Sequence, residues 1–323
     1  MRIGFTTSLP VEVIFAAGHT PVDLNNVFIN THPSKLVKNA ELFGFPRNIC
    51  AWIKGMYAAI KEQKIDMVIG IVQGDCSNTH SLMSILQDEG VAVLPFSYPW
   101  DRDAATLEKE IIRFEKYFGV SRKQTNSIKL QLDKIREKLI LLDKMTYQTN
   151  QVTSAENHTW LVNSTDFNGD FSVYESDLDR FLELAGRRES SQSAVRLGFV
   201  GVPPIIENIY SFIEENSARV VYNEVQRQFS MYYLERDIVA QYLRFTYPYD
   251  IFTRIEDIRL AIVERKIDGL ICYTQSFCHR QLDFISLKKH IDIPMIQIEG
   301  DQPSRIDSRT KLRIESFIEM LHG

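Results

Sequence analysis

Apolar runs alternate with amphipathic stretches along most of the chain. Two of these runs, "MVIGIV" from Met67 and "GLICYT" from Gly269, have no alternating polar positions. Strands of this kind are typical of parallel sheets that are buried on both faces. A helical pattern precedes each run, "ICAWIKGMYAAIKEQ" in one case and "TRIEDIRLAIVER" in the other. Helices that alternate with such strands predict a doubly wound α/β fold.

Further strand candidates indicate one sheet in each half of the chain. "TPVDL" at Thr20 belongs to the first half, and "VRLGFVGV" and "ARVVYNEV" belong to the second. A long charged helical pattern at 121–145 and a polar stretch, "NQVTSAENHTW", lie between them. We expect two Rossmann-like domains: an N-terminal α/β domain at 1–150 and a C-terminal one at 191–323, joined by a connector at 151–190.

One segment occurs twice. Residues 64–77 read "KIDMVIGIVQGDCS" and residues 266–279 read "KIDGLICYTQSFCH", so Lys, Ile, Asp, Ile, Gln and Cys recur at a constant offset (278 − 76 = 202). In open α/β sheets, ligands bind outside the carboxyl ends of the strands. Cys76 and Cys278 each come a few residues after an equivalent strand. The repeat therefore predicts that both thiols face one cleft between the domains.

A third cysteine fits the same arrangement. In "FPRNICAWIKG", Asn48 is the predicted N-cap, which places Cys50 in the first turn of a helix. Helix N-termini favour anions and lower the pKa of a cysteine. Cys272 is different, because it lies inside the second repeated strand, opposite Gly70 of the first. For Cys272 we predict a role in core packing.

Composition narrows the classes of function. A net charge of −5 gives no electrostatic basis for binding nucleic acid or an anionic membrane. The apolar runs are shorter than the ~20 residues that span a bilayer, and Pro10 and Glu12 interrupt any signal-peptide core. A cytoplasmic location is the default expectation. Four cysteines in 323 residues are too few for a disulfide scaffold.

Two interpretations of the three cysteines are open. A duplication could have left one buried cysteine in each half, or Cys50, Cys76 and Cys278 could bind a metal centre. Zinc favours close CxxC pairs and four ligands, and the chain has no such pair. Three distant cysteines suit an iron–sulfur cubane whose fourth iron is open. The chain lacks the common phosphate-loop, dinucleotide, nucleophile-elbow and HExxH motifs.

These segments resemble the 2-hydroxyacyl-CoA dehydratase and benzoyl-CoA reductase subunit family, in particular the 2-hydroxyglutaryl-CoA dehydratase D-component. "LPVEVIFAAGHTPVDL" is similar to the opening segment of the family, with Glu12 on an acidic position. "ICAWIK", "GDCSNTHSLMSIL" and "SFCHRQLDF" are similar to its three cysteine segments. "WLVNSTDFNGD" resembles a segment between its domains, and "RIESFIEML" its last helix. The resemblance covers nearly the whole chain.

The resemblance implies a [4Fe–4S] cluster in the interdomain cleft, bound by Cys50, Cys76 and Cys278. It also implies an acyl-CoA substrate, a related second subunit and an ATP-hydrolysing iron–sulfur activator protein. One electron would reach the thioester through the cluster, and the resulting ketyl radical would expel the hydroxyl before the electron is recovered. The open iron would act as a Lewis acid.

Several side chains have two competing interpretations. Glu12 and His279 are candidate catalytic residues, but Glu12 could instead stabilise a helix N-terminus and His279 could be a surface residue. Gln73 and Gln275 recur three residues before each repeated cysteine. They could bind cluster sulfides or cap the strand ends. An arginine group near the C-terminus could meet CoA phosphates or form a solvated face: Arg305, Arg309 and Arg313.

Departures from the family pattern keep other functions open. The second half lacks the extra cysteines of double-cubane members, which favours a single cubane. Ser308 and Arg309 stand where the family often has a Gly-Gln pair. The chain could therefore be a non-catalytic electron-relay or accessory subunit, or an acyl-CoA reductase-type subunit. A third hypothesis is a cluster-free binding protein whose cysteines belong to the core.

Overall fold

The structure is a computed structural model that describes residues 1–190 and 195–323. It contains two four-stranded sheets in which all strands are parallel, with helices interleaved between them. The predicted doubly wound α/β class with two Rossmann-like units is thus confirmed. The predicted start of the second domain at residue 191 lies outside the described residues, and the domain limits stay a prediction.

The first sheet contains β1 (Arg2–Phe5), β2 (Thr20–Asp23), β3 (Met67–Gln73) and β4 (Ala92–Ser97), in the spatial order β2-β1-β3-β4. The second sheet contains β5 (Val195–Gly201), β6 (Ala218–Asn223), β7 (Gly269–Gln275) and β8 (Met295–Gly300), in the order β6-β5-β7-β8. The two sheets therefore share one topology. In each, the strand order reverses between the first and third strands of the sheet, and open α/β sheets bind their ligands at such a point.

Fifteen α-helices are described. The first half has α1 (Val11–Ala16), α2 (Leu24–Asn30), α3 (Pro33–Phe43), α4 (Ala51–Glu62), α5 (Asn78–Asp88), α6 (Ala104–Tyr117) and α7 (Arg122–Lys144). The predicted connector contains α8 (Ser154–Asn163) and α9 (Phe171–Gly186). The second half has α10 (Ile209–Glu215), α11 (Glu224–Phe229), α12 (Ile238–Arg244), α13 (Ile251–Arg265), α14 (Asp283–His290) and α15 (Ser308–His322). None of the helices described combines the length and apolar character needed to cross a membrane.

The sequence repeat is also a structural repeat. Strand β7 begins and ends 202 residues after β3 (269 − 67 and 275 − 73), as the pattern predicts. Strand β8 lies 203 residues after β4 (295 − 92 and 300 − 97), one more than the offset of the repeated segment. Strand β1 is a four-residue element, "RIGF", and was not predicted because so short an apolar run carries no periodic signal.

One apolar core extends from the first half into the second. It packs Phe5 of β1 and Phe96 of β4 against Phe114 of α6. The same core contains Tyr242 and Phe245, which belong to the second half. Because these contacts are apolar and almost fully buried, they hold the two halves together through the same hydrophobic effect that stabilises each sheet.

Three buried arginines of the fold are paired with carboxylates. Three arginines are among the largest fully buried side chains, and each has a carboxylate partner: Arg136–Glu12 at 2.7 Å, Arg254–Glu224 at 2.6 Å and Arg265–Asp143 at 2.5 Å. Glu12 lies in the first turn of α1, is 0% exposed, and also accepts a hydrogen bond from Tyr242 at 2.9 Å. This placement supports a structural role for Glu12.

We expect Glu12→Leu to lower the free energy of unfolding by about 3–5 kcal/mol, because it leaves the Arg136 guanidinium buried without its main partner. Urea denaturation would measure the loss. The double variant Glu12→Leu/Arg136→Met should recover much of it, since replacing a whole buried ion pair by apolar groups is nearly neutral. Equal losses in the single and double variants would contradict this account.

Candidate functional site

A cavity lies between the two halves, at the carboxyl ends of the strands. Its volume is about 110 Å³. One water molecule needs about 10–15 Å³ of such space, so the cavity can accommodate a group of several atoms. Both halves contribute walls, with Thr6 after β1 and Asp23 at the end of β2 on one side, and Val202 after β5 and Gln275 at the end of β7 on the other.

Three of the four cysteines line this cavity: Cys50, Cys76 and Cys278. Cys76 and Cys278 each lie three residues after the end of their strands, β3 and β7, and Cys50 precedes α4. All four thiols are free. The fourth, Cys272, is 2% exposed inside β7 and packs in a core cluster away from the cavity lining. The structure thus brings together the three cysteines that the repeat and the helix start singled out.

The local setting of Cys50 differs from the prediction. Asn48 is not the N-cap; Cys50 itself is the N-cap residue, and α4 begins at Ala51. Burial raises the pKa of the Cys50 thiol to about 12, although the backbone N–H groups of Trp52 and Ile53 act in the opposite direction. The prediction of a lowered pKa is therefore wrong, because desolvation outweighs the favourable helix N-terminus.

Burial also raises the pKa of the other two cavity thiols, Cys76 and Cys278. The Arg280 guanidinium favours both thiolates, but burial is the larger effect. Arg280 itself is buried, stacks on the Tyr247 ring at 4.1 Å and donates to the Tyr247 carbonyl at 2.7 Å. One fixed cation therefore stands near two of the three sulfurs.

The turns before Cys76 and Cys278 both need left-handed backbone. Gly74 has φ +101°, and a Cβ at that position would come within 2.8 Å of the Pro248 side chain in the other half. Phe277 adopts φ +65° just before Cys278. A residue in this conformation reverses the chain after a strand, which turns the following cysteine toward the cavity instead of continuing the strand direction.

The remaining predicted site residues separate into two groups. Gln275 is buried in the cavity wall, and its Nε2 donates to the Asp301 carbonyl at 2.5 Å. Gln73 and His279 are exposed and do not line the cavity, and neither does the buried Glu12. The members of the arginine group are exposed as well and do not line the cavity: Arg305, Arg309 and Arg313.

Sequence reasoning missed a polar wall of the cavity. Thr6 and Thr7 follow β1, Asp23 ends β2 and caps α2, and Asn25 lies in the first turn of α2. These residues could have been found from the sequence, because they follow the carboxyl ends of two neighbouring parallel strands. His158 on α8 also lines the cavity. It lies in the segment that the sequence presents only as a polar connector.

Carboxyl groups with raised pKa values lie in and behind this wall. Burial raises the pKa of Asp75 to about 6, and the nearby Arg280 guanidinium acts against this shift. Behind the wall, one Asp166 carboxyl oxygen accepts from the backbone N–H of Asp23 at 2.7 Å. Burial, together with the Asp23 carboxylate, raises the pKa of Asp166 to about 7. Asp166 also begins the turn "DFNGD", and Asp170 caps α9.

The cavity does not hold a site for a single metal ion of the usual kind. Within residues 1–190 and 195–323, no three His, Cys, Asp or Glu side chains are close enough to share one ion. In a cubane each iron takes its own thiolate, so its ligands are spread over different metal atoms.

Comparison with known proteins decides the family. A family model described as 2-hydroxyglutaryl-CoA dehydratase, D-component, matches residues 6–321 of the 323. The chain belongs to this family. A search of curated proteins found no match. Membership confirms the resemblance seen in the cysteine segments and supports a 2-hydroxyacyl-CoA dehydratase-like subunit, a component of a dehydratase-type enzyme.

In this dehydratase-family chain, Asp166 gives a pH-dependent prediction. Its folded-state pKa is about 7, above the ordinary 3.8, so the folded protein binds more protons between these values and its stability falls as pH rises. The charged and titratable neighbours are the Asp23 carboxylate and the buried Tyr174 phenol. Asp166→Asn cannot titrate. The stability of the natural protein relative to this variant should therefore fall between pH 4 and 7, by at most about 4 kcal/mol.

Urea denaturation of both proteins at several pH values would measure this difference. It should level off above pH 7, where the Asp166 carboxyl is ionised. A stability difference that is constant from pH 4 to 8 would show that the pKa of Asp166 is not raised in the folded protein.

Proposed function

We propose that this chain binds one [4Fe–4S] cluster through Cys50, Cys76 and Cys278 and acts as a subunit of a 2-hydroxyacyl-CoA dehydratase. The supporting observation is that three free cysteines, 26 and 202 residues apart (76 − 50 and 278 − 76), line one interdomain cavity. The reaction would remove water from a 2-hydroxyacyl-CoA thioester. Family membership supports this substrate class.

The donor set of the cavity fits a cubane. Its three thiols come from both halves of the protein, and no site for a single ion is found among the described residues. Trp52 also lines the cavity, and its indole Nε1–H is buried without an acceptor among the described residues. Cluster sulfides accept hydrogen bonds, and such bonds help to set the reduction potential. Three protein ligands leave one iron open.

The protein's own contribution is to position the substrate and exclude water. When bound, the cluster would supply a single electron to the thioester and a Lewis-acidic iron for the departing hydroxyl. Overall the dehydration is redox-neutral: the C2–O and one C3–H bond break, a C2–C3 double bond forms, water leaves, and the electron is recovered. We infer a related partner subunit and an ATP-hydrolysing iron–sulfur activator that delivers this electron.

The cysteines should differ sharply in their effect on iron content. Anaerobically purified protein should carry about four irons per chain. Cys50→Ser, Cys76→Ser and Cys278→Ser should each lose most of the iron, because each removes one of three protein ligands. Iron and acid-labile sulfide assays would measure this loss.

Cys272→Ser is the matched control, since it makes the same chemical change in the core. It should keep its iron and lose only roughly 1–3 kcal/mol of stability for the buried hydroxyl. If Cys272→Ser strips the iron as fully as Cys278→Ser does, the three-ligand site fails. A colourless protein after anaerobic reconstitution would exclude the cluster altogether.

Binding of a thioester should change the electronic state of the cluster. Adding 2-hydroxyglutaryl-CoA to the reduced protein, together with its partner subunit, should shift the EPR spectrum, because substrate and open iron share one cavity. Coenzyme A without the acyl group is the control. An unchanged spectrum across a panel of 2-hydroxyacyl-CoA thioesters would identify the chain as an electron-relay subunit.

A further inference from the structure

A chain of hydrogen bonds leads from a buried carboxylate to the cavity wall. It begins at Asp143, which is 1% exposed and ion-paired with Arg265, and therefore can only accept hydrogen bonds. It ends at His158, which lines the cavity between the two halves. The residues that connect these two lie on α8, β6, α10 and α11: Asn157, Asn223, Tyr210 and Gln226.

The first links fix the orientation of two asparagines. Asn157 donates from Nδ2 to Asp143 at 3.0 Å and to the Thr146 hydroxyl at 3.0 Å. Thr146 uses its own proton on the Leu142 carbonyl, so it can only accept from Asn157. The Asn157 oxygen therefore faces Asn223, which donates to it from Nδ2 at 2.8 Å.

The next hydrogen bonds run in the same donor-to-acceptor direction. The Asn223 oxygen accepts from the Tyr210 hydroxyl at 2.8 Å. Because the Tyr210 proton is used there, its oxygen can only accept, and it does so from Gln226 Nε2 at 3.1 Å. The NH₂ group of the Gln226 amide must therefore face the Tyr210 hydroxyl. The second proton of that group faces Nδ1 of His158 at 3.1 Å.

The tautomer of His158 follows from this arrangement. Nδ1 lies 3.1 Å from the Gln226 NH₂ group and 3.4 Å from the Tyr210 hydroxyl oxygen. A proton on Nδ1 would point at the closer N–H donor, so Nδ1 is the acceptor and in the neutral imidazole the proton resides on Nε2. Burial also lowers the pKa of His158 to about 4, which keeps the ring neutral at pH 7. The Gln226 oxygen is buried without a partner among the described residues. The hydrogen-bond chain thus holds the Gln226 amide in this orientation, although none of the described residues donates to its oxygen.

We propose that His158 presents its Nε2–H to an oxygen of the molecule bound in the cavity, and that Tyr210 and Gln226 are positioning residues that fix this tautomer. The identification of the acceptor as the thioester carbonyl rests on the proposed function. The assignment of the tautomer does not depend on it. A neutral donor aimed at a carbonyl oxygen stabilises the negative charge that develops there. It does so without bringing a second positive charge into a buried site.

The tautomer is tested on the full-length protein alone. In ¹⁵N-histidine-labelled protein, NMR should show one neutral, Nε2-protonated ring at pH 7, identified by its absence from the His158→Gln spectrum. Tyr210→Phe should introduce the Nδ1–H form, because the Gln226 amide is then free to rotate. Tyr174→Phe is the matched control: this buried hydroxyl donates to the Trp160 carbonyl, outside the chain, and its loss should leave the tautomer unchanged.

The donor role is tested in the assembled enzyme with 2-hydroxyglutaryl-CoA. His158→Phe should lower kcat by about 100-fold, the typical effect of losing one such donor, at unchanged iron content. His158→Gln keeps an N–H donor and should restore part of the rate. An Nδ1–H or charged ring, or a tautomer that Tyr210→Phe does not alter, would overturn the positioning chain. Full turnover in His158→Phe would overturn the donor role.

These outcomes separate this inference from the proposed function. If the natural enzyme lacks dehydratase activity, the proposed function fails, while the NMR result still decides the tautomer. If the natural enzyme is active and His158→Phe retains its iron and its rate, only the role of His158 fails.

Discussion

The ion pair between Arg265 and Asp143 is the interaction on which the polar interior of this protein depends. It joins α13 to α7, and Arg265 also donates to the Val221 carbonyl of β6 at 2.8 Å. Both side chains are at most 1% exposed. Removing one partner would leave a buried charge, which is strongly destabilising. Because Asp143 remains an acceptor-only group, it also sets the direction of each hydrogen bond from Asn157 to the cavity wall.

Close approach of the two halves gives the cavity its shape. The Gly74 turn contacts Pro248 of the second half so closely that no side chain fits there. Tyr242 of the second half reaches back to the Leu9 carbonyl at 2.7 Å as well as to Glu12. Apolar packing and buried hydrogen bonds therefore fix the distance between the two strand ends. The positions of Cys76 and Cys278 follow from that distance.

The two sheets and the three cavity cysteines could be predicted from the sequence more clearly than the other features. Strands β3 and β7 were predictable because a buried parallel strand is a continuous apolar run, and the repeat placed Cys76 and Cys278 at equivalent ends. The repeat could not predict that Gln73 is exposed while Gln275 is buried. A repeat aligns equivalent residues, but it does not show which neighbours pack over each of them. His158 was missed for the same reason. From sequence alone, a polar helix such as α8 is interpreted as a connector, because the residues that pack on it are not known.

Burial acts in one direction on chemically different groups around the cavity. It raises the pKa of the Cys50 thiol to about 12 and that of the Asp75 carboxyl to about 6, and it lowers the pKa of His158 to about 4. An acid and a base move oppositely, yet each moves toward its neutral form. The common cause is desolvation, a property of the cavity and not of one neighbour. In such a water-poor site, charge that forms on a bound molecule is stabilised only where a fixed donor or cation already stands. The direction of a single imidazole N–H then matters more here than it would at the surface, because fewer solvent dipoles can substitute for it.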